Sequence, residues 1–367
     1  MINSDLYISL MKLNEICEVY SGYAIKEFNN IKKGLPVIKI GNILTDGTLN
    51  LGECQFSTED INEKYHSKKG DIYVALSGAT TGKLGIMEDE KKYIINQRVG
   101  IIRLKQKSVS QSYIKFFLLK QTERIIDEAT GCAQPNISPK QIGEYDVPVF
   151  PEKEMLQISD ILNNIVCVIK HYKAMIKKYD DLIKARFIEM FGDPVLNERK
   201  FPTLSGADFF KLSNGRAVPD EKRIETGIPA YGGNGISWYT DEFLMAEDTI
   251  VVGRVGFQSG NVHYVIGPLW ITDNAMYISQ YDKDKFNLRF LCELMQHVNF
   301  SRFQDAGDLK KITQKPFMTF KYILPSMDLQ QKFVNFKIEV DKSREEVKRS
   351  LEKTQQLYDS LMQEYFG

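Results

Sequence analysis

From Ile158 onward the apolar side chains fall at alternating steps of four and three. Ile158, Leu162, Ile165, Ile169, Tyr172, Ile176, Tyr179, Ile183 and Met190 form the series, and only the slot at Arg186 is not apolar. A seam with this spacing, kept over about four heptads, predicts one long helix whose narrow apolar stripe must be covered by another like it. A second seam runs through Val340, Arg344, Val347, Leu351, Thr354, Tyr358, Leu361 and Tyr365, with polar intrusions at Arg344 and Thr354. The economical solution is that the two helices pack on each other. At about 1.5 Å per residue, a helix over 158–191 is roughly 50 Å long. Elsewhere the pattern changes to short β-rich runs, at 35–40, 72–76, 99–104, 249–252 and 275–278, separated by glycine-rich turns and one helical run per half.

The two seams close two copies of one module. Gly22, Ala24, Gly34 and Pro36 recur 193 residues later as Gly215, Ala217, Gly227 and Pro229, and Gly78, Gly82 and Asn96 recur 178 residues later as Gly256, Gly260 and Asn274. Ile137-Ser138 matches Ile312-Thr313 and Phe191-Gly192 matches Phe366-Gly367, both at 175, while Tyr145 and Pro148 match Tyr322 and Pro325 at 177. An ordered series with drifting offsets reads as one module used twice, with loop insertions. The expected fold is α+β: globular β-rich domains at 1–150 and 193–327, and long helices at 151–192 and 328–367. A twofold relation between the modules would make the helices an antiparallel coiled coil, a rigid handle with a globular part at either end. The residues before Met11 read as a loose extension.

Composition narrows the chemistry. The 48 Lys+Arg balance the 48 Asp+Glu, so nucleic-acid binding has to come from local patches and not from a general field. Cys17, Cys54, Cys132, Cys167 and Cys292 are scattered, odd in number and without a C-x-x-C pair, which points to reduced thiols in the cytoplasm and to neither zinc nor disulfides. No apolar run reaches membrane-spanning length and the N-terminus lacks a signal-peptide pattern. His66, His171, His263 and His297 have no metal-ligand spacing. Ser77-Gly78-Ala79-Thr80-Thr81-Gly82-Lys83 falls one residue short of a phosphate-cradling loop, and Leu84 stands where a magnesium-binding hydroxyl belongs. Asp71, Glu90 and Lys92 could be forced into a nuclease-like set, but the second copy has no equivalent. No Asn-Pro-Pro or Asp-Pro-Pro tetrapeptide of an amino-methyltransferase is present. No catalytic and no metal-binding set is expected.

The turns between strands carry binding chemistry instead. The first copy offers Ser77, Thr80, Thr81 and Lys83, then Asn96, Gln97 and Arg98, then Gln134, Asn136 and Ser138. The second offers Arg216, Tyr231, Asn234, Arg254, Gln258, Ser259, Asn261, Asn274, Lys310, Lys311 and Thr313. Asn and Gln can pair bidentately with adenine and Arg with guanine, while hydroxyls and lysines suit phosphates. Such residues also simply make turns. What favours binding is that the halves keep their glycines while differing at the polar positions, as two related frames reading different targets would.

Lys69-Gly70-Asp71-Ile72 with Ser77-Gly78 and Gly82-Lys83, Ile95-Asn96-Gln97-Arg98, Ile228-Pro229-Ala230-Tyr231-Gly232-Gly233-Asn234-Gly235, Val252-Gly253-Arg254-Val255-Gly256 and 270–274 together form a familiar series. In their order and duplication, and in their alternation with two heptad helices, they resemble the specificity subunit of type I restriction-modification systems over nearly the whole chain. Residues 148–151 leading to Glu154 look like that family's entry into the long helix, except that Met155 stands where Gln is usual, and the second copy reads Gln330-Gln331.

The resemblance implies two target recognition domains reading a gapped, bipartite double-stranded DNA sequence, with helices acting as spacer and docking platform. It implies modification subunits, two per chain, and restriction subunits as partners. S-adenosylmethionine would then be used by the modification subunit, ATP and magnesium by the restriction subunit, and no cofactor by this chain. A methylation-only or fused-nuclease system and a coiled-coil protein scaffold are the competing readings.

Overall fold

The computed structural model describes residues 9–105, 109–129, 135–217, 219–305, 307 and 310–367. It divides into two compact units, Met1–Lys173 with Arg349–Gly367, and Ala174–Lys348.

In the first unit the elements are β1 (Ser9–Lys12), α1 (Leu13–Ile16), β2 (Cys17–Ser21), β3 (Leu35–Ile38), β4 (Gln55–Ser57), β5 (Ile72–Ala75), β6 (Leu84–Ile86), β7 (Ile94–Ile95), β8 (Val99–Leu104), α2 (Gln111–Lys120), α3 (Thr122–Glu128), α4 (Pro139–Gly143) and β9 (Asp146–Val149). The long helix α5 (Glu152–Phe191) starts here. The second unit holds β10 (Thr203–Ser205), β11 (Phe210–Asn214), β12 (Ile228–Gly232), β13 (Gly235–Thr240), β14 (Thr249–Gly253), β15 (Val262–Val265), β16 (Trp270–Ile271), β17 (Ala275–Tyr281), α6 (Leu288–Val298), α7 (Lys315–Thr319), β18 (Lys321–Ile323) and the start of α8 (Met327–Phe366).

The repeat is reproduced strand for strand. A sheet β2-β8-β5-β6 in the first unit answers β11-β17-β14-β15 in the second, β4-β3-β7 answers β13-β12-β16, and β1-β9 answers β10-β18. Even the parallel strand pairing recurs, Val37 opposite Ile94 and Ala230 opposite Trp270. Gly22 and Gly215 show why glycine is kept. A Cβ at Gly22 would lie 2.3 Å from the Ile95 carbonyl oxygen, and one at Gly215 would lie 2.0 Å from that of Thr272, closer than any side chain tolerates.

Register also corrects three of the pairings drawn from sequence. Val99 donates to Asn96 O just as Ala275 donates to Thr272 O, so the partner of Asn96 is Thr272 and Asn274 answers Arg98. Lys12 faces Asp146 and Ser205 faces Lys321, which sets a constant offset of 175 from there through the long helices, two residues away from the Tyr145–Tyr322 and Pro148–Pro325 matches. Coincidence of residue type outweighs strand pairing in those three cases when sequence alone is compared. The segment before Met11 is likewise not all loose, since Ser9 and Leu10 pair with Val149 and Pro148.

Each unit builds its core from its own strands, its short helices, and the opposite ends of the two long helices. In the first unit Ile158 and Leu162 of α5 share a buried cluster with Met362, Tyr365 and Phe366 of α8, and Phe366 lies 5.0 Å from Tyr113 of α2, ring centre to ring centre. In the second, Ile183, Phe187 and Phe191 of α5 share a cluster with Phe333, Val334 and Val340 of α8, and Phe191 lies 4.9 Å from Phe290 of α6. In the second unit Arg344 pairs with Asp180 while Phe333 meets Phe187, so there the two helices run in opposite directions. No residue of either seam is exposed.

Candidate nucleic-acid interface

Three segments of the first unit meet at one end of its larger sheet. Leu76 donates to Arg98 O at 2.9 Å, Ile137 to Leu76 O at 3.0 Å and Gly78 to Pro135 O at 3.1 Å, drawing together the turn after β5, the turn before β8 and the approach to α4. The turn after β5 is closed by Thr81 to Gly78 O at 3.0 Å, Gly82 to Ala75 O at 2.9 Å and Lys83 to Thr80 O at 3.0 Å.

Bond for bond, the second unit repeats this frame. Arg254 donates to Asn274 O at 2.9 Å, Ile312 to Arg254 O at 3.0 Å and Gly256 to Lys310 O at 2.8 Å. Its turn closes with Ser259 to Gly256 O at 3.0 Å, Gly260 to Gly253 O at 2.7 Å and Asn261 to Gln258 O at 3.1 Å. Gly78, Gly82, Gly256 and Gly260 all hold positive φ, between 80° and 92°, which lets the same turn form whatever side chains it presents.

On this shared frame the side chains differ. Ser77 is answered by Val255, Ala79 by Phe257, Thr80 by Gln258, Thr81 by Ser259, Lys83 by Asn261, Arg98 by Asn274, and Asn136 by Lys311. Arg98, Asn136, Arg216, Asn234, Arg254, Gln258, Asn261, Asn274, Lys310, Lys311 and Thr313 are exposed, as is Gln97. Lys83, Arg98, Arg216, Arg254, Lys310 and Lys311 have no carboxylate partner among the described residues. The turn over 232–235 joins the cluster, because Gly233 lies against Gly253, Asn274 and Arg254. Asn234, Gln258 and Asn274 consequently line one concavity of about 510 Å3. Convergent carboxamides and unpaired cations on a rigid frame suit base edges and phosphates.

Other candidates sit in structural roles. Ser138 caps α4, its hydroxyl accepting from Gln141 N at 3.2 Å and donating to Gln141 Oε1 at 2.8 Å. The Thr81 hydroxyl donates to Gly78 O at 2.7 Å inside its own turn. Asn96 Oδ1 accepts from Arg98 N at 3.3 Å and so shapes the turn. Tyr231 packs its ring against the cluster of Val251, Leu269 and Ile271, and burial raises its phenol pKa. The hydroxyls of Ser77, Thr80 and Ser259 are buried without a partner among the described residues. Gln134 lies outside the described residues.

Asp71, Glu90 and Lys92 do not converge. Asp71 is 1% exposed and clamped by Arg103 Nε and Nη2, both at 2.7 Å, while Glu90 pairs with Lys69 and Lys92 with Glu63. Among the described residues no cluster of potential metal ligands occurs, and no helix is long and apolar enough to cross a membrane.

Two residues of interest had no role assigned from sequence. Phe257, at the tip of the β14–β15 turn, is 86% exposed. Gln330 is fully buried at the entry of α8. It accepts from Asn287 N at 2.9 Å and donates to Lys285 O at 2.9 Å and Pro325 O at 3.0 Å. At the constant offset of 175 it answers Met155, which is buried against apolar side chains in the first unit. Hydropathy could not flag a buried Gln, but the degenerate helix-entry motif marked its place.

A twice-used frame of this kind, closed by two long helices, defines the class of protein. The family described as type I restriction modification DNA specificity domain matches residues 8–178 and again 201–353, and the chain belongs to it. Among curated relatives, the type I restriction enzyme MjaVIII specificity subunit of Methanocaldococcus jannaschii is 25% identical over 181 residues, covering 46% of this chain and 42% of that protein. The EcoBI specificity subunit of Escherichia coli is 21% identical over 176 residues, covering 47% of this chain and 35% of that one. The matched stretches thus span less than half the length of these curated relatives. Among solved structures, the type I restriction-modification S subunit from M. genitalium superposes with a TM-score of 0.66 at 17% identity, over 100% of this chain and 98% of that one. A chain from a study of type I complex assembly and conformational transition superposes at 0.60 with 11% identity, over 99% of both. At these identities the likeness is one of fold.

Proposed function

We propose that this chain reads a bipartite DNA sequence for a type I restriction-modification complex, one half-site per unit, and catalyses nothing itself. The observation that carries this reading is the duplicated hydrogen-bond frame. Six backbone bonds are the same in both units while the exposed side chains on them differ. A fixed frame beneath differing tips is what two readers of different base sequences would use. The residues proposed to face DNA are Lys83, Gln97, Arg98 and Asn136 in the first unit, and Arg216, Asn234, Arg254, Gln258, Asn261, Asn274, Lys310, Lys311 and Thr313 in the second. Ser77, Thr80, Thr81, Asn96, Ser138, Tyr231 and Ser259 shape the turns that present them.

The long helices act as spacer and as platform for two modification subunits. S-adenosylmethionine serves those subunits in adenine methylation, and ATP and magnesium serve the restriction subunits in cleavage. Neutral net charge fits a reader that relies on its partners for much of the basic surface around the duplex. Co-expression with a modification subunit, followed by sequencing of host DNA for methylated adenines, is the direct test. A new bipartite motif with a fixed gap is expected. Co-purifying subunits without new methylation would favour a protein scaffold instead. A methylation-only or fused-nuclease system would show in which subunits co-purify.

A further inference from the structure

We propose that Phe257 is a wedge that inserts into the base stack of the half-site read by the second unit, and that the answering turn of the first unit carries none. The inference rests on the DNA-reading function proposed above. Phe257 is the most exposed large apolar side chain among the described residues, at 86%. It stands in the middle of the turn that carries Gln258 and Asn261, next to candidates for base and phosphate contact.

Its backbone is held firmly. Gly256 N donates to Lys310 O at 2.8 Å, Ser259 N to Gly256 O at 3.0 Å, and the Gln304 side chain to the carbonyls of Phe257 at 3.3 Å and Ser259 at 2.5 Å. The next residues, Ser259 and Gly260, are buried, so the turn is anchored on both sides of a ring that points outward. Lys310 Nζ lies 5.6 Å from the ring centre, and Lys311 is exposed beside it. A flat apolar ring on a rigid turn, flanked by the exposed cations Lys310 and Lys311, matches a phosphate-lined base stack better than the apolar face of a protein. Side chains of this kind unstack a base step and bend the duplex, while nearby cations hold the backbone.

The duplicated frame sharpens the proposal. The residue answering Phe257 is Ala79, exposed on a turn with the same closing bonds. A methyl group is too small to hold adjacent bases apart. Insertion at this turn is therefore confined to one half-site, and that half-site is read to some extent through how easily its step unstacks.

The test uses the full complex with its modification subunits and a duplex containing the bipartite motif that the wild-type complex methylates. 2-Aminopurine is placed in turn at each step of both half-sites. With the wild type, apart from the target adenines that the modification subunits flip out of each half-site, fluorescence is expected to rise at one further step of the second half-site and at no further step of the first. Phe257→Ala should abolish that rise and weaken binding on the order of tenfold. Phe257→Trp should keep it. Melting should be unchanged in both variants, because the ring is not part of the core. Binding and fluorescence unaltered by Phe257→Ala would overturn the wedge. Loss of co-purification with the modification subunits would overturn it too, by showing that protein covers the ring. A wild-type complex that yields no motif would instead remove the DNA-reading function, and the wedge with it.

Discussion

Arg98 and Asn274 hang from the same backbone position, each carbonyl accepting at 2.9 Å from the residue that follows the central strand of its sheet. Both are exposed, and neither is ion-paired or held by its own chain among the described residues. Arg pairs bidentately with guanine and Asn with adenine, each discriminating by about 1–3 kcal/mol. Asn274→Arg should therefore change one base of the second half-site toward guanine and leave the first half-site intact. Arg98→Asn should do the reverse in the first. Methylated-motif sequencing reads both, and a change in the wrong half-site would refute the assignment. Gln330 makes the contrasting case, a polar residue whose value is wholly internal. Gln330→Ala would strand Asn287 N and two carbonyls in the core at a cost on the order of 3 kcal/mol. The urea midpoint of the second unit should fall, while the methylated motif stays the same.

The long helices show how much an element's sequence tells and where it stops. The heptad seam was legible, and the structure exposes none of its residues. At the end of α5, however, the fully buried residues are Phe187 and Phe191, one place beyond the seam's Arg186 and Met190. A period of 3.5 drifts against a helix of 3.6, and here the helix also meets α6, so the buried face turns away from the seam. Phe187 stacks 3.9 Å from His297 and stands edge-on to Phe333 at 5.4 Å. Phe187→Ala should cost about 3–5 kcal/mol, measured by urea unfolding. His297 adds a pH dependence. Its Nδ1 lies 2.9 Å from the Glu293 carbonyl and its Nε2 is buried without a partner. Burial pushes its pKa below the ordinary 6.5, against the smaller opposing pull of Glu293, and burial does the same to His263. The unfolded chain therefore binds protons more readily than the folded one. Stability is complete above about pH 6.5 and is lost as pH falls below it. The unfolding midpoint should drop between pH 7.5 and 5.5, and His297→Gln should reduce that drop. An equal drop in the variant would assign the acid sensitivity to other groups.

At the scale of the whole molecule the repeat was the legible feature, because glycines at forced backbone positions survive while the tips around them change. Gly22 and Gly215 announce it, each crowded by a carbonyl that excludes any Cβ. Less legible was the exact register. Asn96 resembles Asn274 in residue type, whereas the hydrogen bonds match it to Thr272, and only strand pairing could decide. The corrected offset of 175 through both long helices makes Tyr172 and Val347 equivalent seam positions, and this permits a test of the proposed spacer. Seven residues are two helical turns, about 10.5 Å, and they return the seam to the same face. Heptads inserted after Tyr172 and after Val347 together should keep both half-sites unchanged and lengthen the unspecified gap by up to about three base pairs, at 3.4 Å per step. Two residues inserted in α5 alone turn the rest of its seam by about 200°, out of phase with the other, and should abolish methylation. Exchange of 12–150 for the same module of another family member should instead replace one half-site and leave the gap as it was. If the double-heptad variant methylated the original motif with its original gap, the helices would not set the separation of the half-sites, and that role would pass to the partner subunits.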